Sequence, residues 1–268
     1  MHTPRMNTKN SMMQLRLAYL FCLTKSWENS DEGRMFRDHL TSGKDLFPFF
    51  QSKVPGFSVN WTHLEFSVTR SEQSNNHVLW NPELVQGWVG PMDHMELTLP
   101  AKPNIEPNQL AHALAQYYLL FPTPFGPTQE IEEDDSDVMM EALPTDLGES
   151  PESILDFGGV ILRAVSVGWS HPEFFEELIK ASNETGNATP ILTKYLGWQN
   201  PFNFQLRFKI SSDFTYTPTD SPNKLGWKNI PTTKIGVWYP EPPTEAEIQP
   251  IALTAYNEDG PGYPMSCS

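Results

Sequence analysis

The sequence predicts an α+β protein made of two tandem homologous domains, each with short helices followed by a small, mostly antiparallel sheet. The first observation is a repeat: the run from Cys22 to about Gly126 returns, altered but in the same order, from Ala164 to Ser268. The second is a change of hydrophobic period within each copy, from helical spacing to strict alternation. Together they indicate one fold written twice.

Several blocks carry the repeat and keep their order along the chain. They pair Trp27 with Trp169, Gly56-Phe57 with Gly197-Trp198, Leu64–Val68 with Leu206–Ile210, Trp80 with Trp227, Leu97–Pro100 with Val237–Pro240, and Ala113–Tyr117 with Ala252–Tyr256. Chance rarely preserves such an order, so we expect a first repeat at 12–127 and a second at 157–254, with the repeats packing on each other as an option. The paired tryptophans are expected to anchor the cores.

The second copy shows the helices most clearly. Ile161–Val167 is an apolar helical stretch. Ser170–Glu173 has the pattern of a capping box with proline in the first turn, which predicts a helix over Glu173–Ala181. Thr189-Pro190 predicts a third, short helix, which Gly197 ends.

Two strands follow these helices. From Phe202 to Ile210, apolar side chains alternate with polar ones, which is the period of two that a half-buried strand needs. Lys234–Tyr239 is expected to form another strand, ended by Pro240. The edge of the first strand, with Leu206, Phe208 and Ile210, is a candidate partner-binding surface, as is the edge of its counterpart Leu64–Val68.

Between the copies, residues 128–156 are rich in Asp and Glu and contain no Lys or Arg. We expect an acidic linker; a solvated spacer is favoured over an electrostatic lure for a basic partner. The net charge of −15 argues against nucleic-acid binding and against anionic membrane surfaces. No apolar run approaches the length of a membrane-spanning helix, so stable membrane insertion is not expected.

The sequence contains no recognisable catalytic or metal-binding motif. It has no His-Glu-x-x-His, no glycine-rich phosphate loop, no closely spaced Cys pair and no Gly-x-Ser-x-Gly. Asp93-His94 could be half of a general-base pair, but no nucleophile is signalled nearby. We therefore expect no enzyme activity, no cofactor and no metal. Cys22 is expected to be a buried thiol in a reducing compartment.

The end of the chain differs from the rest. Residues 255–268 combine Pro, Gly and acidic residues and end in Ser266-Cys267-Ser268, which predicts a flexible, core-peptide-like tail. A stable domain usually avoids an exposed Cys because it oxidises, so Cys267 invites a chemical role. An incidental Cys near a frayed end is the plain alternative. Metal capture by Cys267 is a weaker one, because a lone thiol is a poor site without His or carboxylate ligands.

The segments Gly168–Phe174 and Leu196–Phe208 resemble the nitrile-hydratase-like leader region of bacterial ribosomal peptide precursors. With the ending Tyr256–Cys267, the chain resembles the paired precursor-like proteins of thiazole/oxazole-modified microcin (TOMM) clusters, here fused as a tandem pair. Nitrile hydratase itself is similar, but its metal-binding cysteine cluster is absent from this sequence.

The resemblance implies a substrate rather than an enzyme. It implies that a cyclodehydratase-type enzyme binds the leader and that Cys267, Ser266 and Ser268 are the sites of heterocyclisation, with the thiol the first target. It also implies a bacteriocin-type antimicrobial product, synthesis in a bacterial cytoplasm and export of the mature product. The alternative is an unmodified two-domain scaffold or binding module of a biosynthetic cluster.

Overall fold

A computed structural model describes residues 8–57, 64–70, 78–84, 87–90, 93–119, 151–200, 204–218 and 226–259. These residues form an α+β fold, as predicted, and we call residues 8–119 the first half and residues 151–259 the second half. The first half contains α1 (Thr8–Trp27), α2 (Asp31–Leu40), α3 (Phe47–Lys53), β1 (Leu64–Thr69), β2 (Leu79–Trp80), β3 (Trp88–Val89), β4 (Asp93–Pro100) and α4 (Pro107–Leu119). The second contains α5 (Pro151–Ser170), α6 (Pro172–Glu184), α7 (Thr189–Leu196), β5 (Gln205–Ser211), β6 (Thr215–Tyr216), β7 (Trp227–Lys228), β8 (Thr233–Trp238) and α8 (Gln249–Asp259).

Two of the helix ends show how local sequence sets the elements. Ser30 precedes α2, and its side chain accepts a hydrogen bond from the N–H of Gly33 at 2.9 Å, so one free donor of the first turn is satisfied. Gly197 ends α7 with φ of 69°, a left-handed conformation that glycine adopts at little cost. The predicted stop at Gly197 is therefore confirmed.

The predicted capping box after α5 is wrong. Ser170 is the last residue of α5, and α6 begins at Pro172 with His171 as its N-cap, whose side chain makes no capping hydrogen bond. An N-cap residue must leave the helical conformation, which Ser170 does not do because it still belongs to the preceding helix. Proline in the first turn of α6 is confirmed, as is the buried face with Phe174 and Leu178.

The main sheet has four strands in the order β1-β8-β4-β5. β1 and β8 pair in parallel, β4 and β5 pair in parallel, and the central pair β8 and β4 is antiparallel. The short hairpins β2-β3 and β6-β7 are antiparallel. Each outer strand of the main sheet therefore lies beside a strand of the other half of the chain.

The helices lie on one face of this sheet and bury two apolar cores. The first core joins α1, α2, α3, β1 and β3 to β8 and α8. The second core joins α5, α6, α7, β5 and β7 to β4 and α4. Each core thus contains residues of both halves, so the predicted repeat ranges 12–127 and 157–254 do not coincide with the two cores.

The opposite face of the sheet carries charged side chains. Lys234 on β8 pairs with Glu65 on β1 at 3.1 Å, and Lys209 on β5 pairs with Glu96 on β4 at 2.6 Å. Among the described residues, no helix is both long enough and apolar enough to cross a membrane.

The region predicted as an acidic linker is described only at its end. Residues 128–150 lie outside the described residues, whereas residues 151–156 belong to the first turns of α5. The proline at position 151 is the first residue of that helix, a place where its missing N–H leaves no hydrogen bond unmade. The linker predicted over 128–156 therefore gives way to helix by Pro151.

Candidate functional site: the helix that precedes the terminal Ser-Cys-Ser

The residues predicted to be modified, Ser266, Cys267 and Ser268, lie outside the described residues. The last described element before them is α8, which ends at Asp259. What the structure offers for function is therefore the way in which α8 is held.

The first residues of the predicted tail are helical. Residues 255–259, which were expected to start a flexible tail at 255–268, belong to α8. Tyr256 is only 2% exposed, and Ala252, one helical turn before it, is fully buried. The spacing of four between these two residues was the available signal of a buried helix face, but the neighbouring Pro, Gly and acidic residues outweighed it.

Two aromatic residues of the first half hold α8. The hydroxyl groups of Tyr256 and Tyr19 are hydrogen-bonded at 2.9 Å in a buried position. Trp88 packs its ring edge-to-face on Tyr256, with centroids 5.4 Å apart, and its Nε1–H donates to the backbone oxygen of Ala252 at 2.8 Å. The helix is thus fixed by side-chain packing and by a buried hydrogen bond to its backbone.

A charged contact lies near the end of α8. Arg16 on α1 donates from Nε to Oδ1 of Asn257 at 3.1 Å, and its guanidinium also contacts the backbone oxygen of Asn257. A cation near the C-terminus of a helix is favourable because the last carbonyl groups lack partners within the helix. The contact ties the last described turn of α8 to α1.

The segment that leads into α8 is also bound to α1. Trp27 Nε1–H donates to the backbone oxygen of Pro240 at 3.1 Å, and the hydroxyl groups of Ser26 and Tyr239 are hydrogen-bonded at 2.8 Å. From β8 to α8, therefore, the chain follows the surface of the first half.

The electrostatics of this region favour neutral groups. Burial raises the pKa of the Tyr19 hydroxyl well above its ordinary value, so this hydroxyl is neutral in its hydrogen bond with Tyr256. Burial also raises the pKa of the Cys22 thiol to about 12. Because the thiolate is the nucleophile, buried Cys22 is unreactive, as predicted for a thiol in the core.

The strand predicted as a partner-binding surface is less open than expected. Leu206 and Phe208 are buried in the second core, and Ile210 is partly buried against it. β5 is an edge strand, but the N–H of Phe208 donates to Ser182 Oγ at 2.8 Å, and the oxygen of Leu206 accepts from the N–H of Ala188 at 2.7 Å. At Leu206 and Phe208 the backbone of this edge is therefore already bound by Ser182 of α6 and by Ala188, which precedes α7.

The edge of β1 is occupied in the same manner. The oxygen of Phe66 accepts from the N–H of Leu46 at 2.8 Å, and the N–H of Phe66 donates to Asp45 Oδ1 at 3.3 Å. Leu64, Phe66 and Val68 are all buried in the first core. An added strand would have to displace these contacts.

The pair Asp93-His94 does not form a catalytic site. The two side chains point to opposite faces of β4, since neighbouring strand residues alternate. Burial raises the pKa of the Asp93 carboxyl well above its ordinary value. Burial, together with the charge of Arg207, lowers the pKa of His94 to about 4. His94 is therefore neutral near pH 7, and its ring lies against Trp238 at a centroid distance of 5.5 Å.

Neither a metal-binding cluster nor a reactive pocket is found among the described residues. No group of three His, Cys, Asp or Glu side chains is placed there to hold a metal ion. A shallow polar depression of about 400 Å³ is lined by residues between Glu28 and Arg37. Its two arginines are already engaged: Arg34 pairs with Asp31, and Arg37 donates to the backbone oxygen of Ser26.

Comparison with known proteins finds a family match in the second half of the chain. Residues 152–264 match the model of a family described as a ribosomal natural product, two-chain TOMM family. This region runs from the second residue of α5 through α8, and over it the resemblance to TOMM precursor-like proteins is confirmed. No curated protein and no solved structure matches the chain.

Proposed function

We propose that this protein is a TOMM precursor or precursor-like protein: a folded substrate that carries its modifiable residues at the chain end, in Ser266-Cys267-Ser268. The observation that carries the proposal is the family match, which begins at the start of α5 and ends at residue 264, two residues before Ser266. The resemblance to TOMM precursors implies that the reaction is heterocyclisation.

The reaction closes a ring at the backbone. The Sγ atom of Cys267 adds to the carbonyl carbon of Ser266 and loses its hydrogen. That carbonyl oxygen then leaves as water with the thiol hydrogen and the hydrogen of the Cys267 amide nitrogen, and the C=N bond that forms completes a thiazoline in place of the amide. The Ser266 and Ser268 hydroxyl groups attack the preceding carbonyl carbons in the same way and give oxazolines. These two rings form less readily, because a hydroxyl is a weaker nucleophile than a thiol. The cyclodehydratase-type partner must activate the departing oxygen.

The second thiol of the chain supports this assignment by contrast. Cys22 is fully buried and burial raises its pKa to about 12, so an enzyme that modifies thiols has no access to it. Of the two cysteines in the sequence, Cys267 is the one left for modification.

The docked helix sets how far the terminal residues can extend. Tyr256 and Asn257 hold α8 to α1, and the chain from Asp259 to Cys267 can span no more than about 28 Å in any conformation. A modifying enzyme that acts while α8 stays docked must therefore bring its active site within that distance of α8.

The alternative is an unmodified binding module that uses the edges of β1 and β5. The hydrogen bonds that already occupy Phe66, Leu206 and Phe208 weaken it, since β-strand addition needs free backbone groups at the edge.

The test is the intact mass of the protein after expression with its genomic neighbours. We expect loss of one or more waters, placed in the C-terminal peptide by fragmentation. Cys267→Ala should remove the first loss of water, whereas Cys22→Ala, the matched control, should leave it unchanged. An unmodified Ser266-Cys267-Ser268 end, in cells whose modifying enzymes act on another substrate, would contradict the proposal and favour the binding module.

A further inference from the structure

The same buried hydrogen bonds occur twice in this protein, and each time they join the two halves. Trp27 Nε1–H donates to the oxygen of Pro240 at 3.1 Å, and Trp169 Nε1–H donates to the oxygen of Pro100 at 3.0 Å. In both cases a tryptophan at the end of the long first helix of one half meets a proline at or just after the end of the last strand of the other half.

A second matched pair involves the last helices. Trp88 Nε1–H donates to the oxygen of Ala252 in α8, and Trp227 Nε1–H donates to the oxygen of Ala113 in α4, both at 2.8 Å. These contacts match Trp227 with Trp88, not with Trp80 as the sequence blocks suggested. Again each bond runs from one half to the helix of the other.

Contacts made before the last strand behave differently, because they stay within one half. The side-chain oxygen of Asp45 accepts from the N–H groups of Phe47 and Phe66. In the second half, the side-chain oxygen of Asn187 accepts from the N–H groups of Thr189 and Leu206. The first three helices and the outer strand of each half therefore pack together.

The pairing of residues in the main sheet is also equivalent in the two halves. Glu65 pairs with Lys234, and Gln205 pairs with His94; the spacing from Glu65 to Gln205 equals that from His94 to Lys234. At the centre, Met95 of β4 pairs with Ile235 of β8, and these two residues are separated by that spacing as well. The antiparallel pair β4-β8 thus lies on an axis that exchanges the two halves.

We infer that the two halves are homologous and exchange elements: the last strand and the last helix of each half complete the core of the other half. The surface that α1, β1 and β3 present is built for the strand and helix of a second, homologous chain, here supplied by the second half. This inference goes beyond the proposed function and does not depend on modification of Cys267.

The exchanged helices bury apolar side chains, which favours association of the two halves. Ala252 and Tyr256 of α8 are buried against the first half, and Ala113 and Tyr117 of α4 are buried against the second. Each unit without its partner would expose these apolar positions and leave the N–H of a buried tryptophan without an acceptor. Assembly therefore does not need the covalent connection between the halves.

The test uses the intact chain with a protease site inserted between Pro127 and Thr128. After folding and cleavage, we expect residues 1–127 and 128–268 to run as one species in size-exclusion chromatography at submicromolar concentration and to unfold in one transition. Separation into two folded species would overturn the inference.

A cross-link identifies which contacts hold the pieces together. In a Cys267→Ala background, we expect Arg16→Cys with Asn257→Cys to be joined by a short bismaleimide, so that the cleaved halves stay linked on a denaturing gel. Glu65→Cys with Lys234→Cys provides an independent pair across β1 and β8. Each single Cys variant is the control. Native circular dichroism without a cross-link in either pair would contradict the exchange.

Discussion

The hydroxyl pair that anchors α8 allows the account to be tested quantitatively. Tyr256→Phe keeps the ring that packs on Trp88 but removes one of two buried hydroxyl groups joined at 2.9 Å. The Tyr19 hydroxyl then loses that partner in a position that is 1% exposed. Leaving a buried hydroxyl unpaired costs about 1–3 kcal/mol, so we expect the free energy of unfolding to fall by about 2 kcal/mol.

The assay is urea unfolding followed by circular dichroism, combined with a double-mutant cycle. Because Tyr19→Phe removes the unpaired hydroxyl, the double variant should lose about 1 kcal/mol less than the sum of the two single variants. Tyr195→Phe is the control, since its hydroxyl donates to Glu177 at 2.8 Å near the surface and its loss should change the free energy of unfolding much less. A Tyr256→Phe variant as stable as the wild type, or additive single effects, would refute the anchoring argument.

Two further predictions concern packing and pH. Gly168→Ala should destabilise the protein by about 1–3 kcal/mol, because the added methyl group meets the ring of Phe175. Gly159→Ala in the same helix meets nothing within 4 Å and should stabilise the protein by up to about 1 kcal/mol. Thermal unfolding of both variants measures this contrast. The pKa of His94 is lowered from 6.5 to about 4 in the folded protein, so the unfolded chain takes up the proton first and stability should fall as pH drops from 6.5 towards 4. His94→Gln should flatten this part of the urea-midpoint profile, and an unchanged slope would count against the buried neutral imidazole.

The elements that depend on neighbouring residues could be predicted from the sequence. The alternation around Leu206 and Phe208 predicted β5, because burial of one strand face imposes a period of two. The glycine at 197 and the apolar face of α6 were likewise readable, since each depends on residues within one or two turns.

What the sequence did not show is how strands pair. Alternation places Leu206 in a core but does not say which strand lies beside it, and here β5 lies beside β4 rather than beside β8 of its own half. The same limit explains the occupied edges, because Ser182 and Asn187 are far from β5 in sequence but bind its backbone. Tyr256 was missed for a related reason: its partners Tyr19 and Trp88 lie in the first half.

The measurement that bears most directly on the proposed function is the intact mass of the wild-type protein, purified from cells that express its neighbouring genes, with fragmentation of the C-terminal peptide. We expect loss of water at Ser266-Cys267-Ser268, with Cys267 modified first and Cys22 intact. An unaltered C-terminal peptide beside demonstrably active modifying enzymes would contradict it.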